Sequence, residues 1–316
     1  MFIRKSYKIN DISVSRIGHE NGAYMEIIPE LGAMVYQICL GDGSPSVYTI
    51  LKNDSHAELS ENPWFRGRIL FPFNDRIPGG KYKYDDIEYQ LPINSDEDNS
   101  SIHGLVYNRV FTESECELSD NSAKISFVYT IGKQDFISYP FSVELKVSYT
   151  ITQKDFAVSY TVRNIDERTL PVALGWHPYF FLSSKVDELA LRNDGKSYVE
   201  VDGLLNPTGE IKSLSATALD FSEGPELGGR ELDIALTAAE DGRTFLKSKT
   251  HQLEIYFDPS LFPYTQFFIP PDRESIAIEP ITGATNSFNI EGLGRIDLTA
   301  GEERRGSVKI SLNRLA

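Results

Sequence analysis

Sulfur and imidazole are scarce in this chain of 316 residues, which has two cysteines, three methionines and five histidines. Cys39 and Cys116 lie far apart with no Cys-x-x-Cys spacing, so neither a disulfide framework nor a thiolate zinc site organises the fold. That usage fits a cytoplasmic setting. Positive charge is also short: 31 Lys and Arg stand against 46 Asp and Glu, a formal net charge of −15. Nonspecific attraction to nucleic acid or to an anionic membrane surface depends on clustered Lys and Arg, and neither partner is expected. No run of about 18 apolar residues occurs, which removes a membrane-spanning helix. The opening "MFIRKSYKIN" carries charge with no apolar run of signal-peptide length behind it, so the chain is expected to be neither secreted nor membrane-bound. Low-complexity segments, charge blocks, internal repeats and linkers are absent.

What is present is alternation. In "FSVELKVSYTI", Phe141, Val143, Leu145, Val147, Tyr149 and Ile151 alternate with polar residues, the period of a half-buried strand. After "TQKD" the phase restarts at Phe156, Val158, Tyr160 and Val162, which predicts an antiparallel hairpin, and "KISFVYTI" upstream adds a third strand. Similar runs recur at 253–258, 275–280 and 307–312, between turn clusters such as "NDRIPGG" and "ITGATN". No long stretch has apolar spacing of helical period with caps. The hydrophobic fraction of 41% is that of an ordinary globular chain. The expectation is all-β: a large antiparallel β-sandwich with few helices, residues 1–316 forming one domain.

Five histidines can be compared by setting. His19, His56 and His251 lie in polar sequence and are expected at the surface. His103, in "SSIHGLVYN", precedes a glycine that allows a sharp turn or a close approach. His177, in "ALGWHPYFFL", sits among large apolar side chains, and Pro178 biases it to extended backbone. For each alone, a buried histidine satisfied by a backbone partner is the simpler reading. Glu279 ends the apolar run "SIAI", and a strand would deliver it to a loop-lined rim as a rigidly placed base; a solvated strand-end charge is the alternative. Arg76 is read as closing an aromatic strand, its planar fork of donors free for hydroxyl or carboxylate oxygens. Two histidines and a glutamate could form a facial triad for iron, but His103 and His177 are 74 residues apart with no His-x-His or Glu-x-x-His spacing, and no metal is expected. A glycosidase-like carboxylate pair is conceivable in an aromatic cleft, yet spacing offers no second partner for Glu279.

In order along the chain, "FPFNDRIPGGKYKYDDIEYQLPIN", "HGLVYNR", "GWHPYF" and "IAIEPITGATNSFN" resemble the aldose 1-epimerases, or galactose mutarotases. The resemblance implies a galactose-mutarotase-type β-sandwich that interconverts the α and β anomers of a free aldose such as galactose or glucose, without a cofactor, as a monomer or homodimer. It implies Glu279 as general base and His177 as general acid, with His103 and Arg76 binding sugar oxygens and offsetting charge. Ordinary pKa values would make Glu279 an ionised base at pH 7. Gln266 and Asp233 resemble the family's substrate-binding glutamine and aspartate, and Asn74 joins them as a substrate-binding candidate. One departure falls here: the family commonly places Asn directly before the arginine, where this chain has Asp75 with Asn74 one position earlier. A branch acting on hexose 6-phosphates would need a basic pocket. Arg66 and Arg68 are the candidates for it, but Tyr107 stands in the stretch after "HG" where that branch tends to place an arginine. An unphosphorylated sugar is therefore preferred, with a hexose-6-phosphate epimerase or a catalytically silent sugar-binding protein as the alternatives.

Overall fold

The computed structural model describes residues 1–41 and 56–315. Two large antiparallel sheets face each other. The back sheet runs Thr112–Leu118, Ala123–Ile131, Val143–Ile151, Asp155–Asn164, Glu303–Arg314, His251–Phe257, Arg243–Lys247 and Ala190–Asn193 in spatial order. The front sheet runs Pro207–Ser213, Ser197–Val201, Asp233–Thr237, Tyr264–Phe268, Ile276–Ile281, Gly175–Trp176 and Ile69–Leu70, with Tyr179–Phe180 also pairing to Ile276–Ile281. A smaller sheet of Phe2–Ile9, Ile12–His19, Tyr24–Ile28 and Met34–Cys39 precedes them. Helix is limited, among the described residues, to His56–Glu61 and two single turns of 3-10 helix. None is long and apolar enough to cross a membrane.

The alternation read from sequence decides which face each strand buries. Val143, Leu145, Val147, Tyr149 and Ile151 are all buried, and their strand pairs with Asp155–Asn164 in the register Ile151 opposite Phe156. Their apolar faces join the inward side chains of the front sheet in one core, where the rings of Phe156 and Trp176 lie 5.9 Å apart. Strands also form at 251–257, 276–281 and 303–314, each containing or overlapping the expected run. The strand Ile276–Ile281 is buried throughout. Ile276 and Ile278 face the core, so Ala277 and Glu279 point to the opposite face, which is itself covered. That covered outer face of the front sheet carries the site.

Three expectations need correction. Arg76 does not close a strand: Ile69–Leu70 ends before it and Ile77–Pro78 begins after it. Glu279 sits inside its strand rather than at a solvated end. His19 and His251 are half-buried rather than exposed, because His19 packs edge-on against the Phe2 ring and His251 contacts the Thr250 hydroxyl. The side chain of His56 lies outside the described residues.

Candidate active site

A row of facing residues crosses the outer face of the front sheet. Ala235 pairs with Gln266, and Gln266 pairs with Glu279. On the far side of Glu279, Gly175 pairs with Ile281 and Tyr179 with Ala277, so the same register sets His177 opposite Glu279. His177 itself falls in the gap between the two-residue strands, where Pro178 has no backbone N–H to continue the ladder. Its own backbone is nevertheless held: the amide donates to the Arg68 carbonyl (3.0 Å), and the carbonyl accepts from Gly67 (2.8 Å). Directly opposed residues on one face bring their side chains together, and His177 Nε2 lies 3.4 Å from Glu279 Oε1. Both are buried.

His103 reaches the same point from a loop. It adopts positive φ (65°), as does Gly104 (87°), and a Cβ at Gly104 would stand 2.2 Å from the Phe71 carbonyl oxygen. The glycine therefore serves a close approach of backbone to backbone. The turn aims the His103 ring edge-on at His177, with centroids 5.1 Å apart, and its Nδ1 donates to the Asn74 carbonyl (2.9 Å). That bond leaves Nε2 as the acceptor of a neutral ring. Tyr179 completes the wall, stacked parallel to His177 at 5.0 Å, with the Arg66 guanidinium over its ring at 4.5 Å.

Beside this group Arg76 gathers carboxylates. Its Nε donates to Asp98 (2.7 Å), and its terminal nitrogens lie 3.5 Å from Asp75 and 3.7 Å from Asp233. Gln266 Nε2 donates to Asp233 Oδ1 (2.7 Å), tying the row to the cluster. Burial pushes Glu279 well above the usual carboxylate range, and the charges of Asp75 and Asp233 push it further, against the pull of Arg76. Burial, reinforced by His103 and Arg66, holds His177 well below the usual imidazole range. His103 falls to about 3, again mainly through burial. Burial thus disfavours the charged form of both groups across the 3.4 Å contact, and the ordinary pKa values assumed from sequence do not hold here. An acid and a base this close can serve two oxygens bonded to the same carbon.

A sequence profile described as aldose 1-epimerase matches residues 15–311. The chain belongs to the aldose 1-epimerase family. It is 26% identical over 245 residues to the uncharacterized Escherichia coli protein YihR, covering 76% of each chain. It is 29% identical over 184 residues to human galactose mutarotase, covering 56% of this chain and 51% of that one. The chain spans about half the length of the galactose mutarotases it matches. Among solved structures, a galactose mutarotase-like protein from Clostridium acetobutylicum superposes with a TM-score of 0.88 at 19% identity, over 100% of this chain and 99% of that one. A galactose 1-epimerase from Lactobacillus acidophilus gives 0.81 at 16%, over 100% and 99%. These likenesses establish a galactose mutarotase-like fold.

Within this aldose 1-epimerase fold the structure brings His103, His177, Glu279, Arg76, Asp233 and Gln266 to one face. Asn74 is there too, but its amide is engaged: Nδ2 donates to the Gly283 carbonyl and Oδ1 accepts from the Gly283 amide (3.1 Å). Arg68 is only 1% exposed and donates to the carbonyls of Leu31 (2.6 Å), Leu59 (3.0 Å) and Tyr107, so it is a structural clamp with no reach to a phosphate. Arg66 is engaged by the Ser275 hydroxyl and lies 3.5 Å from Asp272. Sequence reasoning missed Asp98 and Tyr179. Tyr179 was within reach, since it lies two residues beyond His177; Asp98 carries no local signal.

Proposed function

We propose that the protein is a cofactor-independent aldose 1-epimerase that opens and recloses the ring of a free aldohexose, with Glu279 and His177 as the proton-transferring pair. The observation that carries this reading is their opposition across the strand gap at 3.4 Å. Ring opening takes a proton from the anomeric hydroxyl and delivers one to the ring oxygen, two oxygens that share C1. With the proton of the pair on His177, Glu279 accepts the hydroxyl proton while His177 protonates the ring oxygen. The C1–ring oxygen bond breaks, C1 becomes an aldehyde, and the pair is left as protonated Glu279 and neutral His177. Rotation about C1–C2 then presents the other face of the aldehyde, and the reverse transfers close the ring. The directions imposed by burial favour the neutral arrangement, which is the one that accompanies the open chain. The ring form therefore reacts once the proton of the pair has passed from Glu279 to His177 across the 3.4 Å contact.

Neutral His103 would accept a sugar hydroxyl through Nε2, while Arg76, Asp233 and Gln266 hold further hydroxyls. Asn74 acts through others: its carbonyl orients His103 and its amide anchors Gly283. The engagement of Arg68 and Arg66 supports a free rather than a phosphorylated sugar.

The test is polarimetry of freshly dissolved α-D-glucose and α-D-galactose with wild type, Glu279→Gln and His177→Asn. Wild type is expected to accelerate mutarotation, and each variant to lose about 10² to 10⁴ of that rate while still binding sugar. A wild type that binds these sugars without accelerating either, and is silent on glucose 6-phosphate, would make the chain a sugar-binding protein and sink the proposal.

A further inference from the structure

The imidazole of the proton-transferring pair is not aimed in the ordinary way. His177 Nε2 faces Glu279 at 3.4 Å, while Nδ1 is buried and meets no hydrogen-bond partner from any other described residue. A catalytic histidine is commonly fixed in plane and tautomer by a hydrogen bond to its second ring nitrogen. Here a flat contact stands in that place: the Tyr179 ring lies within 3° of parallel to the imidazole, with centroids 5.0 Å apart. Tyr179 is itself held from three directions. Its hydroxyl donates to the Trp64 carbonyl (2.9 Å), the Phe268 ring crosses it at 89° and 6.4 Å, and the Arg66 guanidinium lies over its ring at 4.5 Å. Arg66 is 7% exposed and fixed in turn. Its guanidinium donates to the Ser275 hydroxyl (2.8 Å) and lies 3.5 Å from Asp272, and its backbone carbonyl and amide both bond the Asn62 side chain (2.9 Å each). The next residue, Gly67, donates to the His177 carbonyl (2.8 Å), so one short segment grips both the main chain of His177 and the ring beside its imidazole.

We propose that Tyr179 and Arg66 are the positioning residues of His177: the tyrosine ring face fixes the plane of the imidazole, and the guanidinium pins that ring and brings a positive charge to bear on the pair. This rests on the reading of Glu279 and His177 as the proton-transferring pair and adds the residues that act through His177. The charge has a sign that can be followed. His177 is faced by Glu279 from the strand Ile276–Ile281, by His103 from its loop, by Tyr179, and at longer range by Arg66 and Arg76. Burial keeps Tyr179 and His103 neutral at pH 7. Arg66 and Arg76 are therefore the cations that act on the pair, with Asp75 and Asp233 the anions that act on Glu279 and Asp272 facing Arg66. A cation disfavours the protonated form of its neighbours. Without the Arg66 charge the pair holds its proton more tightly, and the pH at which it loses that proton moves up.

The experiment follows mutarotation across pH, on whichever of glucose and galactose wild type turns over faster, in wild type, Tyr179→Phe, Tyr179→Leu, Arg66→Lys and Arg66→Met. It reads kcat per folded protein, KM, and the pH of half-maximal activity on the alkaline side. Tyr179→Phe keeps the ring face and should stay within about threefold of wild type, having lost one neutral hydrogen bond. Tyr179→Leu removes the face and should lose about tenfold to a hundredfold in kcat with KM little changed, as expected of a misaimed group. Arg66→Met should lose kcat severalfold and move the alkaline limb up by about half a unit, less than a charge in direct contact would give; Arg66→Lys should return both. The position of the limb and KM do not depend on the folded fraction, so a variant that folds poorly still reports. If Tyr179→Leu keeps its kcat or changes KM alone, if the limb of Arg66→Met stays at the wild-type pH, or if Arg66→Lys is no better than Arg66→Met, His177 is aimed without these residues and the epimerase reading stands without them. If wild type accelerates neither sugar, both fail together.

Discussion

Asp75 shows how a single side chain can be placed at a cost. It is 8% exposed, its carboxylate accepts from the Arg76 amide (2.6 Å), and burial still pushes it from 3.8 up to about 6, with Asp233 and Asp98 adding to the rise. A carboxyl group whose pKa is raised on folding binds its proton more tightly in the native state. Its penalty is therefore absent below the unfolded value near 4, grows as pH rises through about 6, and is complete above that. A shift of about two units corresponds to about 2 to 3 kcal/mol. Asp75→Asn is accordingly expected to be more stable than wild type by about 1 to 3 kcal/mol at pH 8, with the difference vanishing near pH 4; denaturant midpoints at the two pH values measure it. Equal midpoints at pH 8 would mean that Arg76 neutralises the burial cost in full. At this scale the sequence was legible where a residue type is rare and its neighbours unusual. His177 among aromatics and Glu279 closing an apolar run could be singled out, and Asp75 stood out only against a family pattern. Asp98 could not, since an aspartate in a polar turn has the same sequence neighbourhood whether its carboxylate faces solvent or a buried guanidinium. The amide of Asn74 was equally opaque, because its partner Gly283 is 209 residues away.

The strands were readable as elements, their register was not. Period-two alternation in 143–151 and 156–162 specified a hairpin and its buried face, and the structure has both. The row Ala235, Gln266, Glu279 and His177 depends on pairings between strands distant in sequence, and no local pattern encodes which residue faces which. Glu279 was misplaced at a strand end for the same reason: its strand is buried on both faces, which removes the alternation that would have shown its extent. The loop that brings in His103 offers an element-scale test. Gly104 has φ 87° and sits against the Phe71 backbone, to which the strand segment Ile69–Leu70 leads. Alanine there must either clash with the Phe71 carbonyl or move the loop, costing more than about 1 kcal/mol and displacing the His103 ring from His177. Gly104→Ala should therefore reduce kcat/KM for mutarotation at least as much as His103→Ala does. In the double variant the two losses should overlap rather than add, as for residues acting through one structural device. Additive losses would show that Gly104 supports activity by some route other than His103.

Across the whole molecule, three segments that share no sheet are fastened by one buried cation. Arg68 follows the tight turn at Gly67 and donates to Leu31 after the amino-terminal sheet's third strand, to Leu59 in the short helix, and to Tyr107 beyond the His103 loop. Among the described residues no carboxylate pairs with it; burial lowers its pKa to about 10, and it stays charged at pH 7 while the three carbonyls supply the partial negative charge that water would have given. Sequence reading took this arginine for a possible phosphate ligand, because an arginine near an aromatic strand carries no sign of whether its fork points outward or at main-chain carbonyls. Methionine matches much of the stem but strands three carbonyls, and each hydrogen bond to a charged group is worth about 1.5 to 3 kcal/mol. Arg68→Met is thus expected to destabilise the protein by at least about 3 kcal/mol. The loss should be nearly constant between pH 5 and pH 8, because a base with a lowered folded pKa of about 10 is protonated in both states throughout that window. This separates the clamp from Asp75, whose effect changes steeply over the same range. It also separates it from a ligand-binding role: Arg68→Met at a temperature where it remains folded should change the rates on glucose and on glucose 6-phosphate by the same factor. A selective loss on the phosphorylated sugar would return Arg68 to the substrate and overturn the reading of the site as one for an unphosphorylated aldose.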